Sequence, residues 1–180
     1  MKTLTRLLTI ALFLSLALIG GCSSAMNIQD YKDNKPKLDL FDYFEGKTRG
    51  WGIFQDRNGN LKRQFVVDIN GYKNKDGYLV LEEDFVWSDG EKTKRIWTIQ
   101  QDQNNHFIGT ASDVIGSAKG MSSGNAFHWQ YVLNLPVGDK TYKINFDDWM
   151  FLQPDGVLLN RAKMSKFGIT VGEVIISFKK

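Results

Sequence analysis

Cysteine and histidine are scarce in this chain, whose 180 residues include only Cys22, His106 and His128. A single cysteine cannot close an intramolecular disulfide, and it cannot supply the two or more thiolates of the usual structural zinc site. Two histidines are too few for a histidine-rich metal site. The sequence therefore predicts a fold that depends on neither disulfides nor zinc, and we expect no metal and no cofactor.

A strong charge surplus is also missing. The chain has 23 Lys and Arg against 20 Asp and Glu, a formal net charge of +3, and no basic stripe or RNA-binding aromatic motif accompanies it. This balance argues against a nucleic-acid partner. The chain has no HExxH or GxSxG, and Gly46-Lys47-Thr48 fails as a P-loop because Phe41 occupies the place of the first glycine. We therefore assign no catalytic residue.

The N-terminus has the pattern of a secretory signal. Lys2 and Arg6 accompany an apolar run, Leu7–Ile19, which is too short for a comfortable transmembrane helix. The run leads into Leu18-Ile19-Gly20-Gly21-Cys22, which resembles the lipobox of bacterial lipoproteins. That resemblance implies cleavage before Cys22 and acylation of Cys22 itself, and three acyl chains make such an attachment effectively permanent.

The residues after Cys22 predict an address and a tether. Ser23 stands where Asp is the usual inner-membrane retention signal, so the lipoprotein resemblance implies the periplasmic face of the outer membrane. The polar stretch that follows, up to Lys37, has no periodic apolar pattern, and about 15 flexible residues reach ~20 Å. We predict a signal peptide at 1–21, an acylated flexible tether at 22–37 and one domain at 38–180.

The body of the chain, residues 38–180, predicts an all-β fold. Alternating apolar and polar residues are separated by recurrent turn signals such as Asn74-Lys75-Asp76-Gly77. Leu38, Phe41 and Phe44 line one side of a short helical turn before the first strand. We expect about eight to ten antiparallel strands in meander order, closed into a calycin-like barrel.

The turn Ser88-Asp89-Gly90 predicts a strand register. A three-residue loop with Gly90 in the left-handed bulge position pairs Glu83 with Arg95. The same register pairs Trp87 with Glu91, Phe85 with Thr93, Leu81 with Trp97, and Leu79 with Ile99. Glu83 and Arg95 then share an otherwise apolar face, which predicts an inward ion pair inside the barrel or at its mouth.

A second inward ion pair is predicted for Asp148 and Arg161. Asp148 continues the apolar face of Tyr142, Ile144 and Phe146, so it turns toward the interior. A buried charge requires a partner, and Arg161 is the candidate cation. Such a pair is either structural or part of a ligand site.

An aromatic face has two interpretations. Phe127, Trp129 and Tyr131 alternate along one strand, and Trp97 lies on the face described above. Small barrels are either filled by side chains or hold one small ligand. These four residues therefore either fill the core or line a pocket.

A segment rich in small residues, 109–126, also has two interpretations. Glycine at this density allows close backbone approach, tight bends or positive φ. Asp113, Gly116 and Gly120 belong either to a kinked strand followed by a loop or to the rim of a ligand entrance.

Motifs spread over nearly the whole mature chain carry a family resemblance. They include Gly50-Trp51-Gly52-Ile53-Phe54, Arg95-Ile96-Trp97, Asp113-Val114-Ile115-Gly116, Asp147-Asp148-Trp149-Met150 and Asn160-Arg161-Ala162. Together they resemble an uncharacterised family of Gram-negative lipoproteins, domain of unknown function 3833. The resemblance implies a lipoprotein with no established activity. Family members are often encoded near enzymes resembling cyclopropane-fatty-acid synthases, which implies a link to envelope lipid chemistry.

A second, weaker set of residues resembles lipocalins. The lipocalin barrel floor has a short helical turn, a Gly and a Trp, and the similar residues here are Phe44-Glu45-Gly46 and Trp51. Arg161 is similar to the lipocalin Arg that packs on that Trp. This resemblance implies a calycin-like barrel in which Arg161 covers Trp51.

These observations predict a non-catalytic outer-membrane lipoprotein whose barrel binds a hydrophobic molecule, such as a fatty acid or lipid fragment, in envelope lipid maintenance. One alternative is an interaction module of an envelope complex, which would show an exposed apolar patch on a filled barrel. Another is an enzyme that uses Asp113, Glu83 or Asp148 as acid or base, which would show a perturbed carboxylate in an open pocket.

Overall fold

Residues 25–180, which the computed structural model describes, form a closed antiparallel barrel of ten strands. The strands follow one another in meander order, and the first strand closes the barrel against the last. The predicted all-β barrel is confirmed, at the upper end of the expected strand number. The predicted signal peptide and the predicted acylation site Cys22 lie outside the described residues.

Two short helices precede the strands. They are a 3₁₀ helix (Ile28–Tyr31) and α1 (Leu40–Phe44). The strands are β1 (Gly46–Asp56), β2 (Leu61–Lys73), β3 (Leu79–Trp87), β4 (Lys92–Gln101), β5 (His106–Thr110), β6 (Ala118–Ser123), β7 (Ala126–Val137), β8 (Lys140–Leu152), β9 (Leu158–Lys166) and β10 (Ile169–Lys179). Between residues 25 and 180, no helix has the length and apolar character needed to cross a membrane.

The β3–β4 hairpin has the register that its turn predicts. Glu83 pairs with Arg95, and the flanking pairs also match. The backbone N–H of Trp87 donates to the carbonyl of Glu91 at 2.9 Å. Gly90 has a φ of 87°, a conformation that glycine adopts without the steric cost of a side chain. Because side chains alternate along a strand, this register directs Glu83 and Arg95 into the barrel.

Helix α1 covers one end of the barrel, which we call the closed end. Asp39 caps the helix by accepting a hydrogen bond from the backbone N–H of Phe41 at 2.9 Å. The ring of Phe44 meets Phe178 edge-on at 5.6 Å, and Phe41 lies 6.4 Å from Phe107. The predicted helical turn is confirmed, and its apolar side seals the barrel.

Aromatic rings fill the centre of the barrel. Trp97, Phe127 and Trp129 are buried, and the ring centroids of Trp97 and Trp129 lie 4.6 Å apart. Trp129 also covers Gly109 and Gly120, where an added Cβ would lie 2.8 and 2.6 Å from atoms of Trp129. The predicted aromatic face therefore belongs to the core. Gly120 lies beneath the Trp129 side chain and does not form the rim of a ligand entrance.

The N-terminal segment lies against the outer wall. Tyr31, the last residue of the 3₁₀ helix, contacts the rings of Trp149 and Phe151 at centroid distances of 5.9 and 5.2 Å. The backbone N–H of Leu38 donates to the carbonyl of Gly124 at 2.8 Å. Part of the predicted tether thus contacts the barrel at its closed end, and the flexibility of the rest stays a prediction.

Candidate functional site

The end of the barrel opposite α1, which we call the open end, has half-buried side chains and a polar cluster beneath them. Phe85 and Trp87 point inward here and are only partly buried. Below them lies the interior polar cluster, which consists of Glu83, Arg95, Asp113, Tyr131, Asp148 and Asn160. No helix covers this end among the described residues, so solvent reaches the upper part of the cluster.

Arg95 is held by Asp113. The Arg95 Nε and Nη2 donate to the Asp113 carboxylate at distances of 2.6 to 3.2 Å, a charge-assisted arrangement that fixes the guanidinium plane. The loop 111–117 places Asp113 by folding over β7, since Asn134 N–H donates to the Asp113 carbonyl at 2.9 Å. The side chains of Arg95 and Asp113 remain 26% and 34% exposed. The pair is therefore accessible from the open end.

Glu83 faces Arg95 across the hairpin but does not pair with it directly. Within residues 25–180, the Glu83 carboxylate accepts no hydrogen bond and has no cationic nitrogen within 4.0 Å. Burial raises the pKa of Glu83 to about 7, Arg95 opposes this rise, and the carboxylates of Asp113 and Asp148 add to it. The predicted inward direction is confirmed, whereas the predicted Glu83–Arg95 ion pair is wrong, because Arg95 forms its ion pair with Asp113 instead.

Asp148 lies deeper, with 4% of its surface exposed. Its carboxylate accepts hydrogen bonds from Trp129 Nε1 at 3.2 Å, from the Tyr131 hydroxyl at 3.0 Å and from the Asn160 amide. Burial raises the pKa of Asp148, and these three donors oppose that rise. Burial also raises the pKa of Tyr131 well above its ordinary value, with the Asp148 charge adding to it. Tyr131 is therefore a hydrogen-bond donor at neutral pH.

Arg161, the predicted partner of Asp148, lies on the outside of the barrel. Side chains alternate along β9, so buried Asn160 faces inward and Arg161 faces outward, where it binds Glu173 at 2.7 Å. The predicted Asp148–Arg161 ion pair is wrong, and neutral donors replace the cation. Trp51 is 50% exposed on the outer surface, so the lipocalin-like roles expected for Trp51 and Arg161 are also wrong.

The remaining predicted residues divide between the open end and the core. Gly116 lies in the loop 111–117 with a φ of 72° and open space around it, so the loop brings Asp113 and Gly116 to the open end together. Asn160 was missed by sequence reasoning, although its place in the alternation of Leu158, Asn160 and Ala162 marks it as inward. Among residues 25–180, no three His, Cys, Asp or Glu side chains are grouped to hold a metal ion.

Two cavities have volumes of about 330 and 500 Å³. The smaller one is near the closed end, beside Phe41 and Tyr78. The larger one is lined by polar residues such as Lys119, Asp147 and Lys163, and also by buried Tyr131 of the interior polar cluster. Neither is lined by Glu83, Arg95, Asp113 or Asp148.

Comparison with known proteins establishes the family. Residues 16–180 match the family described as "Protein of unknown function (DUF3833)". The chain belongs to this family. The resemblance carried by the sequence motifs is thus confirmed. No curated protein matches the chain.

Solved structures resemble the barrel at low sequence identity. The S-type phycobiliprotein lyase CPES from Guillardia theta matches with a TM-score of 0.60 and 8% identity, covering 86% of this chain and 98% of that one. A DUF3598-family protein of unknown function from Nostoc punctiforme PCC 73102 matches with a TM-score of 0.58 and 12% identity, covering 81% of this chain. The chain spans 50% of the length of the Nostoc protein. These matches show the fold alone and confirm the calycin-like barrel.

Proposed function

We propose that this member of the DUF3833 family binds one amphiphilic molecule, such as a fatty acid or lipid fragment, in the open half of its barrel. The observation that carries the proposal is the interior polar cluster, in which Glu83 has no hydrogen-bond or ion-pair partner within residues 25–180 and lies beneath half-buried aromatic rings. A few polar groups at the base of an apolar wall are typical of small-molecule sites.

The aromatic rings at the open end supply the apolar wall. Phe85 and Trp87 stack with their ring centroids 6.0 Å apart, and Phe65 lies 4.9 Å from Trp87. A ten-stranded barrel is wider than one of eight strands, whose interior already suits either side chains or one small ligand. Neither of the two cavities is lined by Phe85 or Trp87, so we expect binding to need a change of rotamer in which the apolar part of the molecule takes the place of these rings.

Arg95 and Glu83 supply the polar contacts. Arg95 uses its Nε and Nη2 for Asp113, which leaves N–H donors of the guanidinium for a ligand oxygen. Glu83, with a pKa of about 7, donates when protonated and accepts when ionised. The pair therefore suits the polar end of a lipid, such as a carboxyl or ester group.

The proposed location is the periplasmic face of the outer membrane, through acylated Cys22. The lipobox resemblance supports it, and the family match begins at residue 16 and so includes Cys22. A membrane-anchored barrel with an open, half-buried aromatic end would be placed to exchange lipid-like molecules with the envelope. Acylation of Cys22 is tested by the mass of the purified N-terminal peptide.

Native mass spectrometry of the gently extracted full chain tests the ligand. We expect a lipid-sized adduct on the wild type that is lost in Arg95→Gln. Arg161→Gln is the matched control, because Arg161 also pairs with a carboxylate but on the outer wall, and it should keep the adduct. A wild type that never carries or takes up such a molecule, or equal loss in both variants, would overturn the proposal.

A second candidate is an enzyme in which Glu83 transfers a proton, since a carboxyl group with a pKa of about 7 in a reachable site suits general acid–base chemistry. The molecule recovered from wild type and from Glu83→Gln distinguishes the two. Binding alone predicts a chemically identical molecule in both, whereas catalysis predicts product in the wild type and unchanged substrate in the variant.

A further inference from the structure

The β9–β10 hairpin presents an aromatic side chain to solvent at the open end. Phe167 is 90% exposed. Lys166 pairs with Ile169, so the turn has only two residues, Phe167 and Gly168, and their φ angles are 51° and 79°. Positive φ at both central residues is the geometry of a type I′ hairpin turn.

Phe167 is poorly suited to this turn on conformational grounds. The first central position of a type I′ turn favours Asn, Asp or Gly, and positive φ is a genuine outlier for a bulky residue. The other non-glycine residue with positive φ within residues 25–180 is Asn105, whose residue type suits that conformation. The turn geometry therefore does not favour phenylalanine at this position, and its 90% exposed ring adds almost nothing to the core.

The surroundings of Phe167 combine apolar and basic groups. Ile169 lies on the same hairpin and is 63% exposed. Val137 lies on the neighbouring β7–β8 hairpin and is 57% exposed. The Lys166 ammonium lies 4.0 Å from the ring centroid of Tyr142 and 5.4 Å from that of Phe167. The two tips, residues 137–143 and 163–170, contain four Lys and one Asp. Exposed apolar residues surrounded by lysines are the composition of surfaces that enter the interface of an anionic bilayer.

We propose that these two hairpin tips form a docking surface for an anionic lipid membrane at the open end of the barrel. Phe167 and Ile169 enter the interfacial region, and the surrounding lysines contact the lipid headgroups while their aliphatic stems lie along the apolar surface. Lys166 remains beside both rings in this arrangement. The proposal concerns the outer surface of the tips and holds whether or not the barrel carries a ligand.

The test uses the full chain held by its N-terminal segment in neutral nanodiscs and mixed with acceptor vesicles of phosphatidylcholine, with or without phosphatidylglycerol. Co-flotation measures docking, and hydrogen exchange measures protection of the 164–172 hairpin. We expect co-flotation and protection of the 164–172 hairpin only when the vesicles contain phosphatidylglycerol. Phe167→Asn should weaken docking about tenfold or more, as expected for loss of a buried aromatic side chain, and Lys166→Gln should reduce the preference for anionic lipid.

Phe167→Asn also makes the test independent of folding defects. Asn favours the turn geometry, so this variant should be at least as stable as the wild type while it docks more weakly. Ile108→Asn, on the side wall at 48% exposure, is the matched control and should dock as the wild type does. Equal docking by Phe167→Asn, unchanged exchange of 164–172 with anionic vesicles, or self-association through Phe167 without vesicle binding would overturn the proposal.

Discussion

The raised pKa of Glu83 predicts that the protein loses stability as the pH rises toward neutrality. Burial raises this pKa from 4.5 to about 7. Below pH 4.5 the carboxyl group is protonated in both the folded and the unfolded chain. Between pH 4.5 and 7 the unfolded chain releases its proton while the folded chain keeps it, so the free energy of unfolding falls as the pH rises. Above pH 7 the loss is complete.

The magnitude follows from the difference between the two pKa values. A difference of about 2.5 pH units corresponds to about 3.4 kcal/mol at 1.36 kcal/mol per unit. Solvent reaches Glu83 through the open end, so we expect a measured effect of about 2 to 3 kcal/mol. Glu83→Gln keeps the shape and removes the charge. The free energy of unfolding of Glu83→Gln should therefore be close to that of the wild type at pH 4.5 and exceed it by about 2 to 3 kcal/mol at pH 8.

Urea unfolding at pH 4.5 and pH 8 measures the difference, with equal m-values confirming that the same transition is compared. Glu82→Gln is the control, because Glu82 lies on the same strand but faces outward, where its carboxylate accepts a hydrogen bond from the Tyr72 hydroxyl at 3.3 Å. The Asp148 pKa is also raised, but Asp148 is present in every protein compared. The reasoning is refuted if wild type and Glu83→Gln lose stability equally between the two pH values.

Three further substitutions test the architecture around the site. In Gly71→Ala, the new Cβ would lie 1.9 Å from the carbonyl oxygen of Phe44, so urea unfolding should show a loss of about 1–3 kcal/mol; unchanged stability would mean that α1 is not held there. Asn160→Leu removes a hydrogen-bond donor to Asp148 and should lower the free energy of unfolding by about 1–3 kcal/mol at neutral pH and by less in acid. A loss of the same size at both pH values would contradict this role of Asn160. Tyr31→Ala should leave the barrel folded and accelerate amide hydrogen exchange in residues 25–38, whereas unchanged exchange would show that two rings on β8 do not hold that segment.

The barrel and the β3–β4 register were predictable because local rules determine them. A Gly at the third position of the Ser88-Asp89-Gly90 loop fixes the turn, and the turn fixes which residues face each other across the hairpin. The inward direction of Glu83 followed from that register alone. In the same way, strand alternation was enough to place Asp148 in the interior.

The partners of these charges were not predictable in the same way. Asp113 reaches Arg95 because the loop 111–117 folds back over β7, and the path of a loop leaves no periodic signal in the sequence. The prediction for Arg161 was wrong for a different reason, because neutral donors and not a cation satisfy the Asp148 carboxylate. Asn160 lies at a position of β9 whose side chain faces the interior. Its amide can therefore help to satisfy the buried Asp148 carboxylate together with other neutral donors.

The interior polar cluster contains three carboxyl groups but a single guanidinium, and the fold treats the three differently. Asp113 has the ion pair with Arg95, and Asp148 has three neutral donors. Glu83 has neither within residues 25–180, and burial raises its pKa to about 7. We expect a glutamine of the same shape to be more stable at neutral pH, in which case packing does not explain the glutamate. Among the carboxyl groups of the interior polar cluster, Glu83 is therefore the one whose chemistry most requires a functional explanation.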